Sequence, residues 1–133
     1  VTAFMGFYDP VEHLVEIANC GHSPVIYCPA HGAARLLEAD GPPLGVMDGE
    51  ISTSRIESLG PGDVLAVGTD GISEAENTVG EMFGYDRLLE LVESHRTENA
   101  TELADSILLS VQHFSRGVDQ SDDQALVVLK GAA

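Results

Sequence analysis

Basic residues are scarce: six Lys and Arg stand against 22 Asp and Glu, a formal net charge of −16 over 133 residues. Nucleic-acid backbones and anionic membrane surfaces attract positive charge, so neither is an expected partner. Divalent cations and basic protein surfaces suit this balance better, although many soluble domains are acidic for solubility alone. Cysteine is scarce too. Cys20 and Cys28 make no disulfide framework and, without suitable histidine spacing, no zinc site, so reduced thiols in a cytoplasmic protein are expected. No apolar run approaches the length needed to cross a membrane, which excludes insertion by this segment. The first residues form neither a basic region nor a signal-like apolar segment, and no Gly-rich phosphate loop, Cys-nucleophile motif or Ser–His–Asp pattern is seen.

What is present has the size of a single domain, 1–133, large enough to bury a core. The chain opens directly in an apolar stretch, Val1 to Tyr8, and is expected to be a piece of something longer. That stretch and Leu14 to Asn19 flank the turn-rich Asp9-Pro10-Val11-Glu12-His13, which predicts a β-hairpin. Val25 to Cys28 reads as a short strand, and Ile51 to Ile56 as an edge or half-buried one. Two prolines and two glycines exclude helix from Asp40-Gly41-Pro42-Pro43-Leu44-Gly45.

Val64-Leu65-Ala66-Val67, entered from Pro61-Gly62-Asp63, reads as a buried strand, and Ile72 to Asn77 as a loop or short turn of helix. Leu88, Leu89, Leu91 and Val92 share one face of a helix over 86–93. A second helix follows a capping arrangement at Asn99 and Glu102. It carries Leu103, Ile107, Leu108, Val111 and Phe114 as its apolar stripe and ends at Gly117. Ala125 to Leu129 is apolar on both faces and predicts a central strand. Strands, then two helices on one side, then a strand give an α+β fold with mainly antiparallel strands.

Two acidic sites stand out. Asp70 ends the buried strand beside Gly71, and Asp122 and Asp123 immediately precede the final strand. An Asp-Gly pair after a strand is also an ordinary turn. If the two strands are antiparallel neighbours, however, the end of one lies beside the start of the other and the carboxylates converge. Converging carboxylates repel unless a cation lies between them, and oxygen-only ligands suit Mg²⁺ or Mn²⁺. Two such ions some ~3.5–4 Å apart can activate water for phosphoester hydrolysis without a side-chain nucleophile.

Four stretches occur in a recognisable order: Ala18-Asn19-Cys20-Gly21-His22-Ser23-Pro24, Gly41-Pro42-Pro43-Leu44-Gly45, Gly62-Asp63-Val64-Leu65 through Thr69-Asp70-Gly71 to Glu74-Ala75, and Gln120-Ser121-Asp122-Asp123. Together they resemble the SpoIIE-type serine/threonine phosphatases, a bacterial branch of the metal-dependent (PPM, protein phosphatase 2C-like) superfamily, from near residue 1 to about Lys130. The resemblance implies a β-sandwich flanked by helices, with a two-metal Mn²⁺ or Mg²⁺ centre at one edge. It also implies dephosphorylation, by a metal-activated water, of phosphoserine or phosphothreonine on a regulatory protein such as an anti-sigma-factor antagonist. Asp70 and Asp122 match its metal-ligating acids, and Asp123 matches the adjacent, usually non-ligating place. Gly71 is expected to keep the site open. Glu74 also matches the pattern, as a site residue or a solvated loop acid. His22 is in a matching loop, where structural hydrogen bonding is the expected role. His13, His31, His95 and His113 are expected on the surface, with no part in the site.

The departures matter as much. The family's upstream Gly-Asp-(aromatic)-(aromatic)-Asp and Asp-x-x-Gly-His-Gly segments, which include the acid expected to bridge both metals, are not in this stretch. An incomplete phosphatase domain lacking its N-terminal portion is therefore expected, poorly active alone. Gln124-Ala125 replaces an aliphatic residue and Thr, which is expected to loosen the packing beneath the site. The alternative is a non-catalytic regulatory protein-binding module of the same fold. Exposed strand edges are a further route to a homodimer.

Overall fold

The computed structural model describes residues 1–49 and 53–133. Alternation along the second strand anchors the first sheet, whose other hairpin strand is largely exposed. β1 (Ala3–Asp9) pairs antiparallel with β2 (Leu14–Cys20), Gly6 opposite Ile17, in the hairpin the sequence predicts. Its turn is held by Asp9 Oδ1, which accepts from the N–H groups of Val11 (2.8 Å) and Glu12 (3.0 Å). Those two donors hold the Asp9 carboxyl below its ordinary pKa. β2 turns Val15 and Ile17 inward, and its far edge takes β5 (Arg55–Ser58). Of the strand expected over 51–56, Ile51 and Ser52 lie outside the described residues; the observed strand starts at Arg55 and is an edge.

The second sheet has the order β4-β3-β6-β7, all antiparallel: β4 (Arg35–Leu37), β3 (Val25–Cys28), β6 (Val64–Gly68) and β7 (Leu126–Lys130). Its inner strands are buried on both faces. Val25, Tyr27 and Leu65 meet Val15 and Ile17 between the sheets, while Ile26, Cys28, Val64 and Ala66 face a helical layer. Burial pushes the Cys28 thiol pKa up, consistent with a packing role.

The helical layer comprises α1 (Asp70–Ser73), α2 (Gly84–Ser94) and α3 (Ala100–Phe114). α1 is a single turn, beginning two residues before the loop or short turn of helix expected from Ile72. α3 begins with the expected capping box, in which Glu102 N–H donates to Asn99 Oδ1 (2.9 Å) and Asn99 N–H donates to Glu102 Oε2 (3.2 Å). The helix stops at Phe114, short of Gly117, which adopts φ 90° in the following turn. Leu103, Ile107 and Val111 meet Leu88 and Val92 of α2 in one core, with Leu89, Leu91, Leu108 and Phe114 partly buried against it. Each such fully buried side chain stabilises the fold by about 1.5–3 kcal/mol.

β7 corrects the reading of its sequence. It is an edge strand, not a central one. Leu126 and Val128 pack on the helices, but Val127 and Leu129 point to the opposite side and are 58% and 36% exposed. An unbroken apolar run is compatible with two buried faces but does not supply a neighbour for the far edge. The strand is tied instead at its end, where Lys130 Nζ donates to the carbonyls of Arg96 and Glu98 in the α2–α3 connection.

Asp63, part of the Gly-Asp-Val-Leu stretch, has a structural task. Its carboxylate is buried and accepts from the N–H groups of Ala30 (2.7 Å) and Gly60 (2.9 Å) and the hydroxyl of Ser58 (3.3 Å). It orients the turn that feeds β6. Replacing Asp63 by Ala leaves those donors unpaired and is expected to lower unfolding free energy by about 3 kcal/mol, read from a urea titration. Asn99→Ala removes only the cap and is expected to cost about 1 kcal/mol in the same measurement.

Candidate phosphatase site

β6 and β7 pair antiparallel, with Gly68 opposite Leu126. The chain leaving β6 at Thr69 therefore lies beside the chain entering β7 at Ala125. Two backbone-directed bonds join them: Thr69 N–H donates to Ala125 O (3.0 Å), and Ala125 N–H donates to Thr69 Oγ1 (3.0 Å). The same hydroxyl donates to Asp123 O at 3.0 Å. This register brings Asp70, Asp122 and Asp123 to one open concavity of about 430 Å³. All three acids are exposed.

The opposite wall is the loop 21–24, which follows β2. Asn19 is buried and holds the loop in shape: its Oδ1 accepts from His22 N–H (2.8 Å), and its Nδ2 donates to Ser23 O (3.1 Å). His22 Nδ1 lies 3.1 Å from the same carbonyl, the local hydrogen bonding expected of it. The loop presents Ser23, whose hydroxyl donates to Asp70 Oδ1. Gly21 sits at φ 67°, and a Cβ there would lie 2.5 Å from Pro43, so the glycine-histidine loop and the proline pair pack directly on each other. Asp40 completes the support, accepting from Asn19 N–H (2.8 Å) and from Arg55 Nε (2.7 Å).

Gly71 is packed against the acid-bearing loop. A Cβ at Gly71 would lie 2.3 Å from Asp123 O and 3.1 Å from Asp122 O. The missing side chain thus permits close approach of two backbone segments, a different task from holding a site open to ligand. Glu74 is not brought in: it is exposed, does not line the concavity, and contributes its N–H to Asp70 O (2.8 Å) at the end of α1. Nor does Gln124 loosen the junction as expected. Its Nε2 donates to Gly71 O at 3.0 Å. Ser23, Thr69 and Gln124 brace the acid-bearing segments, and motif reading passed over them. Ser23 and Thr69 lay inside quoted stretches, and Gln124 was visible only as a departure.

Carboxylates are the hard oxygen donors that Mg²⁺ and Mn²⁺ prefer, so the donor chemistry here fits such ions. The number of donors does not suffice: among the described residues, no group of three or more His, Cys, Asp or Glu is placed to hold a metal ion. The described residues carry at most part of a ligand set.

Two sheets face to face with a helix layer on one of them match part of the fold of PP2C phosphatase domains. The chain superposes over 97% of its length on the SiaA-PP2C domain of Pseudomonas aeruginosa, with TM-score 0.81 and 17% identity, covering 51% of that chain. The chain belongs to the Stage II sporulation protein E (SpoIIE) family, whose model matches residues 1–131. Among curated relatives, Protein IcfG of Synechocystis sp. is 29% identical over 128 residues, 96% of this chain. Phosphoserine phosphatase RsbP of Bacillus subtilis is 26% identical over 122 residues, 91% of this chain. The chain spans only 20% and 28% of the lengths of those two relatives.

Gly71→Ala tests the contact between the two acid-bearing segments. The added methyl is expected to drive the Asp122–Asp123 backbone away and to lower stability by about 2 kcal/mol. Urea unfolding gives the energy, and amide chemical shifts at residues 121–125 report the displacement.

Proposed function

We propose that this chain is the portion of a metal-dependent protein serine/threonine phosphatase domain that carries Asp70 and Asp122. The protein that contains it hydrolyses phosphoserine or phosphothreonine on a regulatory protein of the anti-sigma-factor-antagonist type. The observation that supports this most is the β6–β7 register, which sets Asp70 and Asp122 on one concavity from 52 residues apart in sequence. A phosphoserine phosphatase among the relatives, RsbP, agrees with the reaction class. In this reading Asp70 and Asp122 would hold Mn²⁺ or Mg²⁺, together with ligands from outside the chain. Such ions supply Lewis-acid charge stabilisation and lower the pKa of a coordinated water. Ser23 orients the Asp70 carboxylate, and Asp123 contributes its backbone carbonyl to the Thr69 junction.

Asp70→Asn or Asp122→Asn in the full-length protein is expected to lower Mn²⁺-dependent hydrolysis of p-nitrophenyl phosphate by roughly two orders of magnitude or more. The melting temperature of the exposed-site variants should stay at the wild-type value. Undiminished turnover would remove both residues from the site.

The shortage of ligands supports a second reading, a non-catalytic module that binds a regulatory protein. The two readings divide on one comparison. The isolated 133-residue chain should be silent with millimolar Mn²⁺ while the full-length protein turns over; silence in both would favour the binding module.

A further inference from the structure

Gln124 stands between the candidate ligand Asp122 and the first residue of β7, and its side chain is half-buried rather than free. Its Nε2 donates to the carbonyl of Gly71, 53 residues away, at 3.0 Å. That carbonyl belongs to α1, a single turn of four residues. So short a helix leaves most of its carbonyls without intrahelical partners. Asp70 O accepts from Glu74 N–H (2.8 Å) and from Ser73 Oγ (3.2 Å). Gly71 O is met by the Gln124 amide instead. Because Gly71 is buried, a carbonyl there is costly to leave unpaired.

The location of this bond gives it a consequence for the acids. One end lies on the residue next to Asp70 and the other two residues after Asp122. On the opposite flank, the Thr69 hydroxyl already ties Asp123 O and Ala125 N–H to the end of β6. The two links bracket Asp70, so the loop 121–124 is held at two points rather than one. A single link would leave it free to pivot about Thr69. The backbone contact at Gly71, where a Cβ would lie 2.3 Å from Asp123 O, sets how near the loop comes, and Gln124 keeps it there.

We propose that Gln124 is a positioning residue: through the Gly71 carbonyl it fixes the placement of Asp122 relative to Asp70 before any ion is bound. It touches neither substrate nor ion. This inference rests on the reading of Asp70 and Asp122 as metal ligands, yet the placement itself can be measured with no metal present. Without the link, an ion must draw the loop in and hold it, so part of its binding free energy goes into ordering the loop. Metal dependence then shifts while the chemistry of the loaded site does not.

The experiment compares wild type with Gln124→Leu, which retains bulk and loses the donor. In the metal-free 133-residue chain, hydrogen exchange is followed at Thr69 and Ala125, whose amides bond across the junction, with Leu65 to Val67 of β6 as internal reference. Exchange at the junction should accelerate about tenfold while the reference amides keep their rates. In the full-length protein, the Mn²⁺ concentration giving half-maximal p-nitrophenyl phosphate hydrolysis should rise by about tenfold, with kcat at saturating Mn²⁺ within about twofold of wild type. Unchanged junction exchange would overturn the proposal. So would acceleration shared equally by the β6 reference amides, which would make Gln124 a stabilising residue of the whole sheet. If wild-type full-length protein shows no hydrolysis, the phosphatase reading fails, and the exchange data still decide whether Gln124 holds the loop.

Discussion

The antiparallel pairing of β6 with β7 is the constraint on which the remaining geometry depends. With Gly68 opposite Leu126, the end of one strand and the start of the other are neighbours, and the acids that follow and precede them share a rim. A one-residue slip would turn Leu126 and Val128 away from the helices and carry Asp122 out of step with Asp70. The register is specified along the helix-facing side of the strand. Leu126 and Val128 are drawn into the helix-side core, and Lys130 is anchored on the carbonyls of the α2–α3 connection.

Around that pairing, polar side chains convert proximity into fixed positions. Asn19 shapes the loop that carries Ser23, and Ser23 bonds Asp70. The Thr69 hydroxyl both donates and accepts on the approach to β7. Of these groups only Asn19 is deeply buried; the others join segments that the sheets already hold close. A rim built this way is solvent-exposed and acidic but not loose. The strongly negative formal charge of −16 makes the surrounding surface a favourable one for cations and basic partner surfaces.

Much of the fold was legible in local pattern. Alternation in Leu14–Cys20, the capping pair Asn99 and Glu102, and the helical stripe from Leu103 to Phe114 each follow from near-neighbour physics, and each appears in the structure where the pattern puts it. The reading failed where the outcome depends on a distant neighbour. Ala125 to Leu129 is apolar throughout, yet β7 has a strand on one side only, and Val127 and Leu129 stay accessible. Gly71 was expected to make room for a ligand and instead makes room for Asp123 O, a contact that spans 52 residues of chain. Gln124 stood out only as a departure from the family pattern, because its partner, the Gly71 carbonyl, is invisible from sequence.

By itself, then, the sequence determined most of the elements, the α+β class and the family resemblance, and it singled out Asp70 and Asp122 as candidates, because hydrophobic period, capping chemistry and ordered motifs are all local or linear properties. Tertiary structure decided which edge β7 occupies, which acids share a concavity, and which polar groups brace them. Those are questions of distance between residues far apart in the chain, and only the closed sheets set such distances.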